Sequence, residues 1–280
     1  MTETGDTALN IAAGHGRLAP VKSLIRAGAK VELRTIMGRA SGDPVETSAL
    51  LQACVFGHYD VAIELVLAGA DIRQESSKKQ NCLSLGAGRG HAMIVSLGLG
   101  LRLRALGPGG SDTFIDTPRL PVDAQDIHGD TPIMRAIAGH HLGTVFTLIN
   151  AGANVFEPNK KGATPLLSAV RESEPGMVAL LTSRGAHKIP GALETAIRES
   201  QALLTKAEAA LKELSLAHAT PKAAPPAVTK GPTTSELEAI EQGKISSQKA
   251  ILFHLKKKVG ETEREATCTA SPEPNTSSCS

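Results

Sequence analysis

Gly129-Asp-Thr-Pro-Ile-Met-Arg-Ala136 opens a stretch that runs through His141 and Val145 to Ala151-Gly-Ala-Asn154. After 33 residues the frame returns as Gly162-Ala-Thr-Pro-Leu-Leu-Ser-Ala169, followed by Val178, Leu180-Leu181 and Gly185-Ala186. A fixed period of about 20–50 residues marks a repeat architecture, so this frame decides the fold. Working outward, Gly5-Asp-Thr-Ala-Leu-Asn-Ile-Ala-Ala13 leads to Gly16, Val21, Leu24-Ile25 and Ala27-Gly-Ala29. Ser48-Ala-Leu-Leu-Gln-Ala53 leads to Gly57-His58, Val61, Leu65 and Ala68-Gly-Ala-Asp71. A worn copy lies between these and the first pair quoted: Cys82-Leu-Ser-Leu-Gly-Ala87, Gly90-His91, Ile94-Val95 and Leu97. Aligned on Thr7, Ser48, Asn81, Thr131 and Thr164, the steps are 41, 33, 50 and 33 residues. The long steps exceed the period by 8 and 17 residues, and both insertions fall between a Gly-Ala end and the next Thr position.

Each unit reads as a helix pair. A Thr at the start offers its hydroxyl to an orphan N–H, and Pro at the first helical position has no donor to leave unpaired. Small residues at Ala12-Ala13, Ala53-Cys54 and Gly86-Ala87 let neighbouring helices approach closely. Val and Leu positions fall on one stripe of a second helix, and the Gly of Ala-Gly-Ala supplies a left-handed cap. Such a unit cannot bury its apolar face alone and depends on its neighbours.

The frame resembles the ankyrin repeat over about residues 3–188, most clearly at Thr131-Pro132 and Thr164-Pro165. The resemblance implies an all-α repeat solenoid, an ankyrin-type stack of about five helix-turn-helix units with short β-hairpin or turn connections. It also implies a non-catalytic protein–protein interaction module, a scaffold or adaptor that binds partner proteins on its concave surface. The alternative is a regulatory or targeting subunit, or fragment, of a larger enzyme or signalling protein. The chain starts almost inside the first unit without a polar cap helix, which favours an upstream domain or a shortened chain. One family position departs throughout: the His after Leu is replaced by Asn10, Leu51, Ser84, Met134 and Leu167. The bridging between repeats that this His supplies is therefore expected to be lost, leaving a weaker stack.

The insertions, near 34–45 and 103–123, carry Gly38, Gly42 and Pro44 in one and Gly-Pro-Gly-Gly (107–110) in the other. They read as exposed loops where the family has its hairpin fingers. Residues 189–218 read as a helical extension or capping repeat, 219–233 as a Pro/Ala linker, 234–259 as an amphipathic helix and 260–280 as a disordered tail.

Composition agrees with thin helical layers. Aromatic residues make up 2% of the chain against 41% hydrophobic overall, so the apolar bulk is Ala, Leu, Val and Ile. A net charge of +2 gives no field for nucleic acid, and no secretory signal or membrane span is read. The expected compartment is the cytoplasm, with the nucleus as alternative. Four cysteines without CxxC spacing read as reduced thiols, Cys54 and Cys82 as small buried hydrophobes.

Chemical motifs are sparse. Gly86-Ala-Gly-Arg-Gly90-His91 lacks the final Gly of a dinucleotide loop, and the repeat phase already accounts for it. His58, His91 and His141 share one phase, but stacked units about 10 Å apart are too far apart to share one ion. No catalytic set, metal site or cofactor is implied. Variable phases that face a partner, by the resemblance, include Val45, Thr47, Val55 and Phe56, then Lys78, Gln80 and Arg89. The fourth copy adds Ile127, His128 and Asp130, and the fifth adds Lys160, Lys161, Arg171 and Glu172. The expected partner is a protein segment of acidic or mixed charge, bound by a monomer.

Overall fold

Copies of the frame begin where a short polar side chain caps a helix. Thr7 Oγ1 accepts the Asn10 N–H at 3.1 Å, Ser48 Oγ that of Leu51 at 3.4 Å, and Asn81 Oδ1 that of Ser84 at 2.9 Å. Thr131 departs from this: its hydroxyl is buried without a hydrogen-bond partner among the described residues. The computed structural model describes residues 7–37, 45–101, 103–106, 112–115, 117–188, 191–219 and 232–270. Contacts divide the chain into two compact units, Met1–Pro165 and Leu166–Ser280.

In the first unit four helix pairs follow one another: α1 (Ala8–Gly14) and α2 (Leu18–Arg26), then α3 (Ala49–Phe56) and α4 (Tyr59–Leu67). After them come α5 (Cys82–Arg89) and α6 (Ala92–Gly98), then α7 (Pro132–Ala138) and α8 (Leu142–Asn150). First helices pack on first helices (α1, α3, α5, α7) and second helices on second helices (α2, α4, α6, α8). The core follows the repeat phase. Leu9, Leu50, Leu83 and Ile133, each two residues after the capping position, are at most 2% exposed. The Ala-Gly-Ala ends turn as expected, with Gly69 at φ +96 and Gly152 at φ +90.

Both insertions are hairpins at their bases rather than loops throughout. β1 (Arg34–Met37) pairs antiparallel with β2 (Val45–Ser48), Thr35 opposite Thr47; β3 (Leu103–Leu106) pairs with β4 (Asp112–Ile115). The tips at 38–44 and 107–111 lie outside the described residues. Thr117 Oγ1 donates to Leu97 O at 3.1 Å and Leu120 N–H to Gly98 O at 2.8 Å, closing the longer insertion onto the end of α6.

The expected loss of bridging is replaced by other bonds. His58 Nε2 lies 3.0 Å from Gly14 O, His91 Nε2 lies 3.1 Å from Val55 O, and His141 bonds the Gly88 backbone. Each histidine precedes a second helix and reaches back to the unit before its own. Asn10, at the position of the missing family His, donates through Nδ2 to Thr35 Oγ1 at 2.7 Å, and Gln52 Nε2 donates to the same hydroxyl at 3.2 Å. Thr35 is thereby held between the first two pairs. The Gly86–Arg89 stretch lies within helix α5, as the repeat phase requires.

The reduced-thiol expectation fails at one pair. Cys54 and Cys82 form a disulfide with Cα atoms 5.3 Å apart. One ends near the C-terminus of α3 and the other starts α5, and the packing of these two helices brings them together although their repeat phases differ.

In the second unit α9 (Pro165–Arg171) and α10 (Pro175–Ser183) form the fifth pair, followed by a 3-10 turn at Ala186–Lys188. Two long helices follow, α11 (Ala192–Ala219) and α12 (Thr234–Ala270), packed along one another. α12 also packs on α10. Its buried Gln248 donates through Nε2 to Val170 O at 3.0 Å and to Ser173 Oγ at 2.9 Å, and accepts from Ser200 Oγ at 2.6 Å. The helix expected to stop at 259 continues to Ala270. Lys258 pairs with Glu261 at 2.6 Å and Thr262 Oγ1 donates to Lys258 O at 3.0 Å, so the Glu- and Thr-rich segment extends the helix instead of starting a tail. Residues 220–231 of the expected linker and 271–280 of the expected tail lie outside the described residues.

Candidate partner-binding groove

Alternation along β2 turns Val45 and Thr47 to one side of the hairpin. On that side a cavity of about 370 Å³ runs across the second, third and fourth pairs. Val55 of α3 and Leu85, Gly88 and Arg89 of α5 line it, facing Arg135, Ala138 and Gly139 of α7. Ser76, Gln80 and Ser84 add hydroxyl and amide groups. Five positions read from the variable phases meet here: Val45, Thr47, Val55, Gln80 and Arg89.

The other expected positions are placed elsewhere. Phe56 ends α3, 42% exposed, its ring stacked on His58 with centroids 6.3 Å apart. Half-buried Lys78 sits in the turn before α5, its carbonyl accepting the Ile127 N–H at 3.2 Å. His128 is exposed, with its N–H on Asp126 Oδ1 at 2.8 Å. Asp130 accepts from Asn159 Nδ2 at 2.7 Å, and Lys160 Nζ donates to Ile127 O at 2.8 Å, so both side chains brace the tips of successive turns. Lys161 is exposed beside them. Arg171 and Glu172 belong to the second unit and line a different cleft of about 410 Å³ with Lys206 and Lys244; Arg171 pairs with Glu199 at 2.9 Å.

Arg135 was missed by the variable-phase reading. It stands four residues after the capping Thr131, the same phase as Leu85 in α5, and Arg89 lies one turn further along that helix face. The signal was therefore present: phases four and eight of a first helix share a face. Arg135 approaches Asp126 Oδ2 at 3.8 Å, while Asp126 Oδ1 accepts the N–H groups of His128 and Asp130. Among the described residues no group of three or more His, Cys, Asp or Glu side chains is arranged to hold a metal, and no helix is long and apolar enough to cross a membrane.

Comparison with known proteins agrees with this architecture. The family model described as Ankyrin repeat matches residues 4–36 and 128–160. A "Probable E3 ubiquitin-protein ligase XBOS32" of Oryza sativa subsp. japonica is 27% identical over 173 residues, 56% of this chain and 33% of that protein. "Ankyrin repeat and KH domain-containing protein mask-1" of Caenorhabditis elegans is 25% identical over 180 residues, 64% of this chain and 6% of that protein. The match thus spans about a third of the first relative and a small part of the second. Ankyrin repeats are protein-interaction modules, generally without catalysis. The two family matches fall on the first and fourth copies of the frame, so ankyrin repeats are present at those places, among the stacked helix pairs of the first unit.

Proposed function

We propose that the chain is a non-catalytic scaffold or adaptor that binds partner proteins through the groove of its first unit. The observation that carries this reading is the cavity shared by three successive pairs, which an elongated segment could follow from β2 to α7. Its wall combines apolar floor with a few polar groups, the usual make-up of a recognition site. The 27% identity to a protein named as a probable E3 ubiquitin-protein ligase, over a third of that protein, favours a second reading, in which the stack is the targeting arm of a larger enzyme. Both readings use the same groove.

The test uses the full chain as bait and compares Ala138→Arg with Leu67→Arg. Ala138 is exposed on the groove wall, and Leu67, 63% exposed at the end of α4, lies off it. Ala138→Arg should abolish capture of proteins that Leu67→Arg still captures, with both variants unfolding at the wild-type temperature. Equal capture by both variants would remove the groove as the binding surface.

A further inference from the structure

Among the described residues the groove holds more cation than its neighbouring acid can match. Arg89, the last residue of α5, is exposed and has no ion-pair partner among the described residues. Among the described residues Arg135 has one neighbouring carboxylate, Asp126, at 3.8 Å, and Asp126 is buried with its Oδ1 already engaged by two backbone N–H groups. One such contact leaves most of the five guanidinium donors uncommitted. Glu46 brings no compensating charge, because strand alternation turns it away from the face that Val45 and Thr47 line.

Two glycines bring these arginines to adjacent helix surfaces. A Cβ placed on Gly88 would lie 3.5 Å from Arg135 Cβ, and one on Gly139 would lie 2.5 Å from Gly88 O. At this point the backbone of α5 closely approaches the residue that ends α7, with Arg89 next in sequence to Gly88. Next to this cationic end the wall is apolar, at Val55 and Leu85. A guanidinium fork matches a carboxylate with two parallel N–H···O bonds, and the apolar wall matches an aliphatic side chain. The volume, about 370 Å³, suits a few side chains of an extended chain.

We infer that the groove takes an extended acidic peptide segment, with a Glu or Asp carboxylate held by Arg89 and Arg135 and an aliphatic neighbour seated on Val55 and Leu85. This inference rests on the partner-binding reading and gives its ligand a chemistry.

The experiment pans a random dodecapeptide phage library against the full chain and measures the selected peptides by fluorescence anisotropy. Wild type, Arg89→Glu, Arg89→Lys and Ala138→Arg are compared. Selected sequences should be enriched in Glu or Asp beside Leu, Ile or Val, and binding should weaken as salt rises. Arg89→Glu should weaken it about tenfold to hundredfold, and Arg89→Lys, which keeps the charge and loses the fork, should weaken it less. Arg89 is exposed, so unfolding temperatures should stay the same. Failure to select any peptide, selected peptides without acids, or affinities within twofold for Arg89→Glu would overturn the inference. Binding more than tenfold tighter when a phosphoserine replaces the acid would overturn it in favour of a phosphate site. If Ala138→Arg blocks the selected peptides and Arg89→Glu does not, the acidic chemistry falls while the groove stands. If neither variant matters, the groove reading falls as well.

Discussion

His91 reaches back one repeat: its Nε2 lies 3.1 Å from Val55 O, and its ring lies where a Cβ on Gly57 would come within 2.5 Å of Nδ1. A carbonyl oxygen only accepts, so Nε2 carries the proton and one tautomer is fixed. His58 does the same to Gly14 O at 3.0 Å, with its ring at Gly16. A stack whose stability is a sum over neighbouring units depends on such interfaces, and here histidine and glycine at one phase make them together.

Gly57→Ala tests this pairing. Gly57 has φ +77, which costs an alanine about 1 kcal/mol, and the added Cβ must also displace the His91 ring. Gly28→Ala is the control, with φ +83 and open space around the new Cβ. By urea denaturation Gly28→Ala should lose about 1 kcal/mol and Gly57→Ala about 2–4 kcal/mol. Equal losses would mean that the ring contact carries no stability.

Reduction should loosen the second and third pairs. The Cys54–Cys82 bond closes a loop with a sequence separation of 28, which in the chain-entropy picture is worth about 3–4 kcal/mol. The unfolded, unreduced chain should titrate fewer thiols than the reduced one, by the two of this bond. Dithiothreitol or Cys82→Ser should lower the unfolding temperature. An unchanged thiol count after reduction would show that the bond does not form.

What the sequence made legible and what it hid follow from one distinction. Thr131-Pro132, Thr164-Pro165 and the Ala-Gly-Ala ends are local signals, because caps and left-handed turns are decided within a few residues. Leu9, Leu50, Leu83 and Ile133 were legible as core for the same reason, by phase. The Cys54–Cys82 bond depends on how two helices pack, and no spacing rule announces it. Five of the twelve residues that line the groove were readable as variable phases, from Val45 to Arg89, whereas Arg135 was hidden by reading one phase of the helix face and not the next turn. Asp130 and Lys160 read as partner-facing phases, and the turns of the third and fourth connections draw both side chains into bracing bonds.

Acid should weaken the stack at its fourth pair. Burial, with His91 and His140 nearby, lowers the His141 pKa below the ordinary imidazole value of 6.5. A group whose folded pKa is depressed binds fewer protons folded than unfolded. Its stability contribution is therefore complete above pH 6.5 and is lost as pH falls through that value toward the folded pKa. Denaturation midpoints should drop between about pH 7.5 and 5.5, and His141→Gln should flatten that slope. In the second unit His254 is lowered in the same direction by burial and then by Lys258, so it adds to the same window. A slope unchanged in His141→Gln would assign the acid sensitivity elsewhere.

Gln248→Ala should release α12 from the fifth pair. The Gln248 amide serves Val170 O, Ser173 Oγ and Ser200 Oγ, and the residue is buried. Removing it leaves a carbonyl and two hydroxyls without this partner, a penalty of about 2–4 kcal/mol once the lost packing is added. Ile251 and Leu255 of the same helix stay buried and His254 Nε2 stays within 2.7 Å of Thr182 Oγ1, so the loss should loosen α12 without unfolding the chain. Hydrogen exchange should rise across Thr234–Ala270 and in the facing part of α11, while α1 to α8 keep their protection. Gln248→Glu retains the acceptor for Ser200 but turns a carboxylate oxygen toward the Val170 carbonyl where the donor stood, so its exchange should rise at least as far as that of alanine. Protection equal to wild type in Gln248→Ala would mean that apolar packing alone holds α12 in place.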